Sequence, residues 1–410
     1  MQSNKSYKSA VQTNYKQTEI GLIPTDWVVK KLGEFGIVFT GNTPNTNDRE
    51  NYGTEYKFVS PFDLGEGKYI IKTEKNLSKK GFDSSRKFPK GTILFCCIGS
   101  TIGKSGIAND CLTSNQQINA VVVSENYSNE FLYYELEFNV GKIKLMAGEQ
   151  AVPIINKSQF CEIKLKCPPL HEQQKIATIL STWDKAIDTT KQIIENLQAR
   201  NKGLAQQLLT GKKRVKGFEK TKWKRLNADE VFVSISQKNN GIDEVLLSAT
   251  QDRGMIPRDM LEGRVTMPTG ETNSYKLVDK GDFVISLRSF QGGLEYSEYR
   301  GLVSPAYTVL KPIVPINDAF YKFYFKSYDF IGHLSVAVIG IRDGKNISYE
   351  NFSTIIIPCP PIEEQKNIAN ILNNANAELQ QYQQVLAQYQ QQKKGLMQQL
   401  LSGKVRVNVV

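Results

Sequence analysis

Histidine is scarce in this chain, with only His171 and His333 among 410 residues. The six cysteines, Cys96, Cys97, Cys111, Cys161, Cys167 and Cys359, contain no Cys-x-x-Cys spacing. Zinc sites need clustered Cys and His, and disulfide frameworks need dense cysteines in a short chain, so neither is expected. No apolar run is long enough to span a bilayer, and Met1 to Lys16 is polar, without the apolar core of a signal peptide. The expectation is no membrane and a reducing cytoplasm. Negative charge is also in deficit: 52 Lys and Arg face 41 Asp and Glu, a formal net charge of +11. That balance favours an acidic partner, with nucleic acid first among the candidates. The length suits two globular units with additional helices better than one core.

What the chain does have is a stretch that occurs twice. The first copy opens Cys167-Pro168-Pro169-Leu170-His171-Glu172-Gln173 and closes Gly203-Leu204-Ala205-Gln206-Gln207-Leu208-Leu209-Thr210-Gly211-Lys212. The second opens Cys359-Pro360-Pro361-Ile362-Glu363-Glu364-Gln365 and closes Gly395-Leu396-Met397-Gln398-Gln399-Leu400-Leu401-Ser402-Gly403-Lys404. Both ends share one offset, so the element has a fixed length while its residues drift. Between them, seam residues alternate at spacings of four and three: Ile176, Leu180, Trp183, Ile187, Thr190, Ile194, Leu197, Asn201, Leu204 and Leu208. The second copy repeats the frame with Ile368, Leu372, Ala375, Leu379, Tyr382, Leu386, Tyr389, Lys393, Leu396 and Leu400. Each copy predicts one long helix, bounded by its proline pair and by Gly211 or Gly403. A helix from His171 to Leu209 would be roughly 58 Å long at ~1.5 Å per residue. A narrow seam of that length calls for a partner helix, and mutual pairing is the economical solution.

The segments before each helix also follow a common order. In the first, Lys57–Ser60, Thr92–Ile98 and Ile118–Val123 have strand character, Asn129–Leu145 has helical spacing, and Ile163–Lys166 leads into the prolines. In the second, Trp223 corresponds to Trp27, Lys280–Ser286 to Lys90–Cys96, and Tyr307–Leu310 to the Ile118 strand. Phe320–Phe330 is again aromatic and helical, and Thr354–Ile357 enters the second proline pair. The expected class is α+β: a tandem duplication of a mixed α/β globular unit and a long helix. The boundaries are 1–166 (with 1–17 a mobile arm), 167–212, 213–358 and 359–410. Antiparallel coiled-coil pairing of the helices would give the duplication a pseudo-two-fold axis.

These residues resemble the DNA-specificity subunit of Type I restriction-modification enzymes. The likeness rests on the proline pairs, on Leu170-His171-Glu172-Gln173-Gln174-Lys175-Ile176-Ala177 and Ile362-Glu363-Glu364-Gln365-Lys366-Asn367-Ile368-Ala369, and on the closing Gly-Leu-x-Gln-Gln-Leu-Leu-[Thr/Ser]-Gly-Lys. Gly41-Asn42-Thr43-Pro44 and Lys90-Gly91-Thr92 through Ile102-Gly103-Lys104 extend it into the first globular unit. The Gly41 stretch has no clear counterpart in the second. The resemblance implies a non-catalytic subunit that reads a bipartite double-stranded DNA target, one half through each target-recognition domain. It implies that the helices set the spacing and dock two methyltransferase (modification) subunits, to which restriction subunits can add. S-adenosylmethionine, ATP and Mg would belong to those partners.

Residue chemistry agrees with a non-catalytic chain. The Asn/Asp-Pro-Pro-aromatic tetrapeptide of amino-methyltransferases is absent, since the proline pairs follow cysteine and precede Leu170 or Ile362. Gly99-Ser100-Thr101-Ile102-Gly103-Lys104-Ser105 approximates a phosphate-binding loop, but three residues separate its glycines where four are required. A turn presenting Lys104 is the better reading. Arginine pairs with guanine, and Asn or Gln with adenine, which selects candidate DNA contacts. In the first unit these are Thr43, Asn45, Asn47, Arg49, Lys104, Asn115, Gln116 and Gln117. In the second they are Arg253, Arg258, Arg264, Lys276, Arg288 and Gln291. The bland reading of any one of them is a solvated loop residue. The strip Lys212-Lys213-Arg214 offers charge for phosphates or for helix-end carbonyls. Two rivals remain: a coiled-coil scaffold without DNA readout, which leaves the charge and the paired heads unexplained, and an enzyme in its own right.

Overall fold

The structure is a computed structural model that describes residues 14–148, 151–239, 244–261, 272–287, 289–337 and 347–407. It divides into two compact units, one of residues 1–192 and 384–410, the other of residues 193–383. Two helices dominate the chain, Leu170–Leu209 and Ile362–Leu400, of 40 and 39 residues. Each ends at its glycine: Gly211 and Gly403 have φ of 73° and 75°, a region that costs other residues a Cβ clash. No helix among the described residues is long and apolar enough to cross a membrane.

In the first unit, a five-stranded sheet runs in the order Gly36–Thr40, Ile118–Val123, Ile93–Cys96, Ser105–Ala108, Tyr69–Ile70. A four-stranded sheet carries Thr113–Ser114, Tyr56–Val59, Lys75–Leu77 and Tyr52–Gly53. Val28–Lys31 pairs antiparallel with Lys164–Cys167, the strand that enters the proline pair. The helix Asn129–Leu145 buries Phe131, Leu132, Tyr134 and Leu136 in a core shared with Trp27 and Phe95. That same core takes in Ile176 and Leu180 from the start of the first long helix and Leu400 and Leu401 from the end of the second. Residues 1–13, most of the expected arm, lie outside the described residues. Its last part is not an arm: Tyr15–Thr18 forms a hairpin with Gly21–Pro24, made possible by Gly21 at φ 105°.

The second unit repeats the frame. Lys224–Asn227 pairs with Ile356–Cys359, and the sheet order Phe232–Ile235, Thr308–Pro312, Phe283–Ile285 matches the first three strands of the larger sheet above. Its core is aromatic, with Phe232 packed on Phe283, Tyr321 and Phe325 at centroid distances of 5.6, 5.2 and 5.3 Å. Leu208 and Leu209 from the end of the first long helix join it with Ile368 and Leu372 from the start of the second. The expected single aromatic helix over 320–330 is two, Asp318–Tyr324 and Tyr328–Ala337. Ser327 breaks it, its hydroxyl accepting from Phe330 N at 3.3 Å as an N-cap.

The Glu-Gln pair of the repeat does the same work in each unit. Glu172, 2% exposed, accepts from Trp27 Nε1 at 2.9 Å and from Arg406 Nε and Nη2 at 2.8 Å each. Glu364, fully buried, accepts from Trp223 Nε1 at 2.7 Å and from Arg214 Nε and Nη2 at 2.8 and 2.7 Å. The neighbouring glutamines bind a proline carbonyl and the next helix: Gln173 spans Pro168 O (2.8 Å) and Ser128 N (3.0 Å), Gln365 spans Pro360 O and Asn317 N (2.8 Å each). Each arginine follows the long helix other than the one that carries its glutamate. Within each unit the two helical segments are therefore antiparallel. Arg214, offered above for phosphates or carbonyls, is instead an internal partner.

Two measurements probe these buried groups. Arg406→Ala strips Glu172 of its countercharge, and breaking a buried pair costs about 3 kcal/mol, to be read from denaturant unfolding; Lys404→Ala, at an exposed position, should cost little. Glu135 on helix Asn129–Leu145 is 1% exposed; its Oε1 accepts from Lys166 N at 3.1 Å and Oε2 has no partner. Burial pushes this carboxyl up to about 7. The folded state thus holds the proton above the ordinary range of about 4.3, so the contribution is full below that range and is lost as pH rises through 7. Melting temperature should fall between pH 5 and 8, and Glu135→Gln should flatten that part of the profile.

Candidate nucleic-acid interface

In the first unit, strand register delivers four loops to one end of the two sheets. Thr40 pairs with Asn119, Cys96 with Ile118, and Val59 with Ser114, so the segments that follow Thr40, Val59 and Cys96 meet the one that precedes Ile118. Backbone bonds tie them together: Asn42 N donates to Ser114 O at 2.9 Å, Asn115 N to Val59 O at 3.0 Å, Cys97 N to Gln117 O at 2.9 Å. Gly41 makes the closest approach. A Cβ there would lie 2.2 Å from Asn115 O and 2.3 Å from Ser114 Oγ.

This edge brings together candidates far apart in sequence. Thr43 Oγ1 donates to Gln116 Oε1 at 2.5 Å on the exposed surface. Asn115 and Gln117 are locked to each other, Asn115 Nδ2 donating to Gln117 Oε1 and Gln117 N to Asn115 Oδ1, both at 3.1 Å. Asn45 shapes its own loop by accepting from Asn47 N at 3.0 Å. Arg49 stands exposed on the one-turn helix Arg49–Asn51, whose cap Asp48 also pairs with Lys80 at 2.9 Å. Lys104 closes the loop between Ile93–Cys96 and Ser105–Ala108, with its backbone O accepting from Cys96 N at 2.8 Å. Those two strands are antiparallel. The glycine-rich loop is therefore a hairpin connection and opens no helix, the context a phosphate-binding loop requires.

One residue at this edge escaped the sequence reading. Phe62 is 75% exposed, on the one-turn helix Pro61–Asp63. The signal was present as Ser60-Pro61-Phe62-Asp63, a capping box with proline at the first helical position. A search for hydrogen-bonding side chains passes over phenylalanine.

The second unit assembles fewer of its candidates. Arg253 lies at the tip of the hairpin Leu247–Thr250 with Gly254–Pro257, its backbone N donating to Thr250 Oγ1 at 3.1 Å. Arg258 follows the far end of the same hairpin, so the two arginines do not converge. Gln291 is exposed on the short helix Ser289–Gly292, which the hairpin tip reaches through Gln251: its side chain would lie 3.2 Å from a Cβ on Gly292. Lys276 is committed internally, its Nζ donating to Tyr307 O at 2.6 Å, and burial lowers its pKa. Arg264 and Arg288 lie outside the described residues.

The long-helix seam divides by depth. Ile176, Leu180, Ile187, Ile194, Leu197 and Leu208 are buried, as are Ile368, Leu372 and Leu400. Trp183, Leu204, Leu379, Tyr382, Leu386, Tyr389 and Leu396 are half-buried. In the first unit Trp183 and Tyr389 meet edge to face at 5.7 Å.

Comparison with known proteins names this architecture. The family model for the Type I restriction modification DNA specificity domain matches twice, at residues 24–199 and 214–387. The chain therefore belongs to the Type I restriction-modification specificity-subunit family, with two such domains in tandem, and its role is one of DNA sequence specificity. Among relatives, the MjaIX specificity subunit of Methanocaldococcus jannaschii is 36% identical over 193 residues, covering 46% of this chain and 44% of that one. The putative MjaX specificity subunit of the same organism is 26% identical over 431 residues, 97% of each chain. A solved Type I restriction-modification S subunit from M. genitalium shares the fold, with TM-score 0.56 and 17% identity over 94% of this chain and 97% of that one.

Gly41→Ala tests the loop assembly. Overpacking against Asn115 O should cost about 1–3 kcal/mol of unfolding free energy, whereas Gly67→Ala, with nothing within 4 Å of its new Cβ, should be near neutral.

Proposed function

We propose that this chain reads a bipartite double-stranded DNA target as the non-catalytic subunit of a Type I restriction-modification complex. Each recognition domain takes one half-site. The observation that carries this reading is the contrast between a frame whose key bonds are repeated in both units and the unlike loops mounted on it. Glu172 with Gln173 and Glu364 with Gln365 hold the same partners in both units, while the first unit's amide-lined edge is replaced in the second by a hairpin and a short helix. Divergent loops on a repeated scaffold suit recognition of two different sequences. The net charge of +11 supports a polyanionic partner.

In this reading two methyltransferase subunits dock on the outer faces of the long helices, and restriction subunits join them in the cytoplasm. S-adenosylmethionine, ATP and Mg are bound by those partners and supply methyl transfer and translocation there. This chain's own part is to hold two sets of side chains against base edges.

Exchanging residues 1–166 for the corresponding segment of a relative should change one half of the methylated sequence and leave the other half intact. Methylome sequencing of a host carrying the exchanged chain with its modification subunit checks this. A change in both halves, or in neither, contradicts the one-domain, one-half-site assignment.

A further inference from the structure

The loop edge of the first domain encloses a cleft of about 690 Å³ lined by Thr43, Tyr52, Phe58, Phe62, Asn115 and Gln117, among others. Its most unusual member is the 75% exposed ring of Phe62. That ring is not on a loose tip. Asp63 ties the turn down at both ends: its Oδ2 accepts from Ser60 N at 2.8 Å and Ser60 Oγ at 2.7 Å, and its Oδ1 accepts from Glu74 N at 2.7 Å. Pro61 fixes the turn's first φ. A large apolar side chain carried into water on a tied-down turn has the character of a contact residue.

The polar groups beside it are equally constrained. Asn115 Nδ2 donates to Gln117 Oε1 and Gln117 N to Asn115 Oδ1, and Thr43 takes one lone pair of the Gln116 carbonyl oxygen. Gln116, the exposed member of the set, keeps its amide N–H groups and the second lone pair of its carbonyl oxygen, while Gln117 keeps its amide N–H groups at a half-buried position. No arginine lines the cleft. Glu74 and Lys75 at its rim carry opposite charges side by side. Guanine is read chiefly by arginine or lysine, adenine by Asn or Gln, and the thymine methyl by apolar contact. The cleft therefore offers an amide edge and an aromatic ring and no arginine fork; Arg49, exposed at the same edge, lies outside its lining.

We propose that this edge reads an A·T base pair within the half-site of the first domain, with Gln116 on the adenine edge and Phe62 against the thymine methyl. The assignment rests on the reading of this chain as a DNA-specificity subunit, and it names two specificity-determining residues and the base pair they select. Both are exposed, so replacing them leaves the core intact.

The test uses the full chain co-expressed with its modification subunit in a host without other adenine methylation. Phe62→Ala and Gln116→Ala are compared with wild type by single-molecule methylome sequencing, and the complexes are sized after co-purification. The expected result is a wild-type bipartite motif that, in both variants, becomes degenerate at one A·T position of one half-site. Discrimination there should drop on the order of tenfold or more, with the other half-site unchanged. Retention of the full motif at wild-type fidelity in both variants would overturn the proposal. So would degeneracy at a G·C position, as Glu74 reading cytosine would produce, or a complex that dissociates while its motif stays intact, which would make this edge a protein-docking surface. A wild-type chain that confers no bipartite motif would instead overturn the functional reading on which the proposal stands.

Discussion

A carboxylate taken out of water must be paired, and two such carboxylates determine how this chain is assembled. Glu172 and Glu364 are 2% and 0% exposed, and each is satisfied by an indole N–H and a guanidinium fork. Leaving either unpaired would cost several kcal/mol, so the groups that satisfy it have to arrive together. The carboxylate sits at the start of one long helix, and its two partners are the tryptophan before the first paired strand and the arginine after the end of the other long helix. Antiparallel helix segments follow within each unit. The adjacent glutamines extend the constraint by holding the N-terminus of the helix that opens at Asn129 or Asp318.

The seam adds a second constraint, on register. Asn201 and Lys393 occupy equivalent seam positions in the two copies, and neither is apolar. Asn201 Nδ2 donates to Ala375 O at 2.8 Å, reachable because Ala375 is small. Lys393 pairs with Asp184, whose other oxygen accepts from Tyr134 OH on the globular part of the same unit. A polar group at a seam position sacrifices some stability and penalises every register in which it has no partner. Here the same slot uses a backbone carbonyl in one unit and a carboxylate in the other. The duplication has kept the device and exchanged its chemistry.

Much of this frame was legible in the sequence. The proline pairs, the heptad and the closing glycines gave both long helices to within a residue or two, because periodicity over forty residues leaves few alternatives. The strands Ile118–Val123 and Ile93–Cys96 stood out as apolar runs between turn residues. The buried glutamates did not: their partners lie 145, 234, 141 and 150 positions away, and nothing local in Trp27, Trp223, Arg214 or Arg406 announces the pairing. The loop edge was half legible. The hydrogen-bonding capacity of Thr43, Asn115, Gln116 and Gln117 is visible in the sequence, and strand register joins them. Lys276 has the same capacity but is consumed internally, and side-chain chemistry alone does not tell an available ammonium from a committed one.

The contrast between frame and loops bears on how such a protein can change its target. The bonds that fix the frame are made by the strands beside the proline pairs, the Glu-Gln pairs with the tryptophan and arginine that meet them, and the seam groups Asn201 and Lys393. The loops after Thr40, Val59 and Cys96 contribute none of these. They hold one another instead, through Asn42 to Ser114, Asn115 to Val59 and Cys97 to Gln117. Substitution at an exposed position of that edge can therefore alter what is contacted without disturbing the pairing of the helices. Gly41 is the limit of that freedom, because its backbone passes too close to Asn115 and Ser114 for any side chain. The exposed side chains of the edge are free to drift, while the backbone that supports them is held by steric fit.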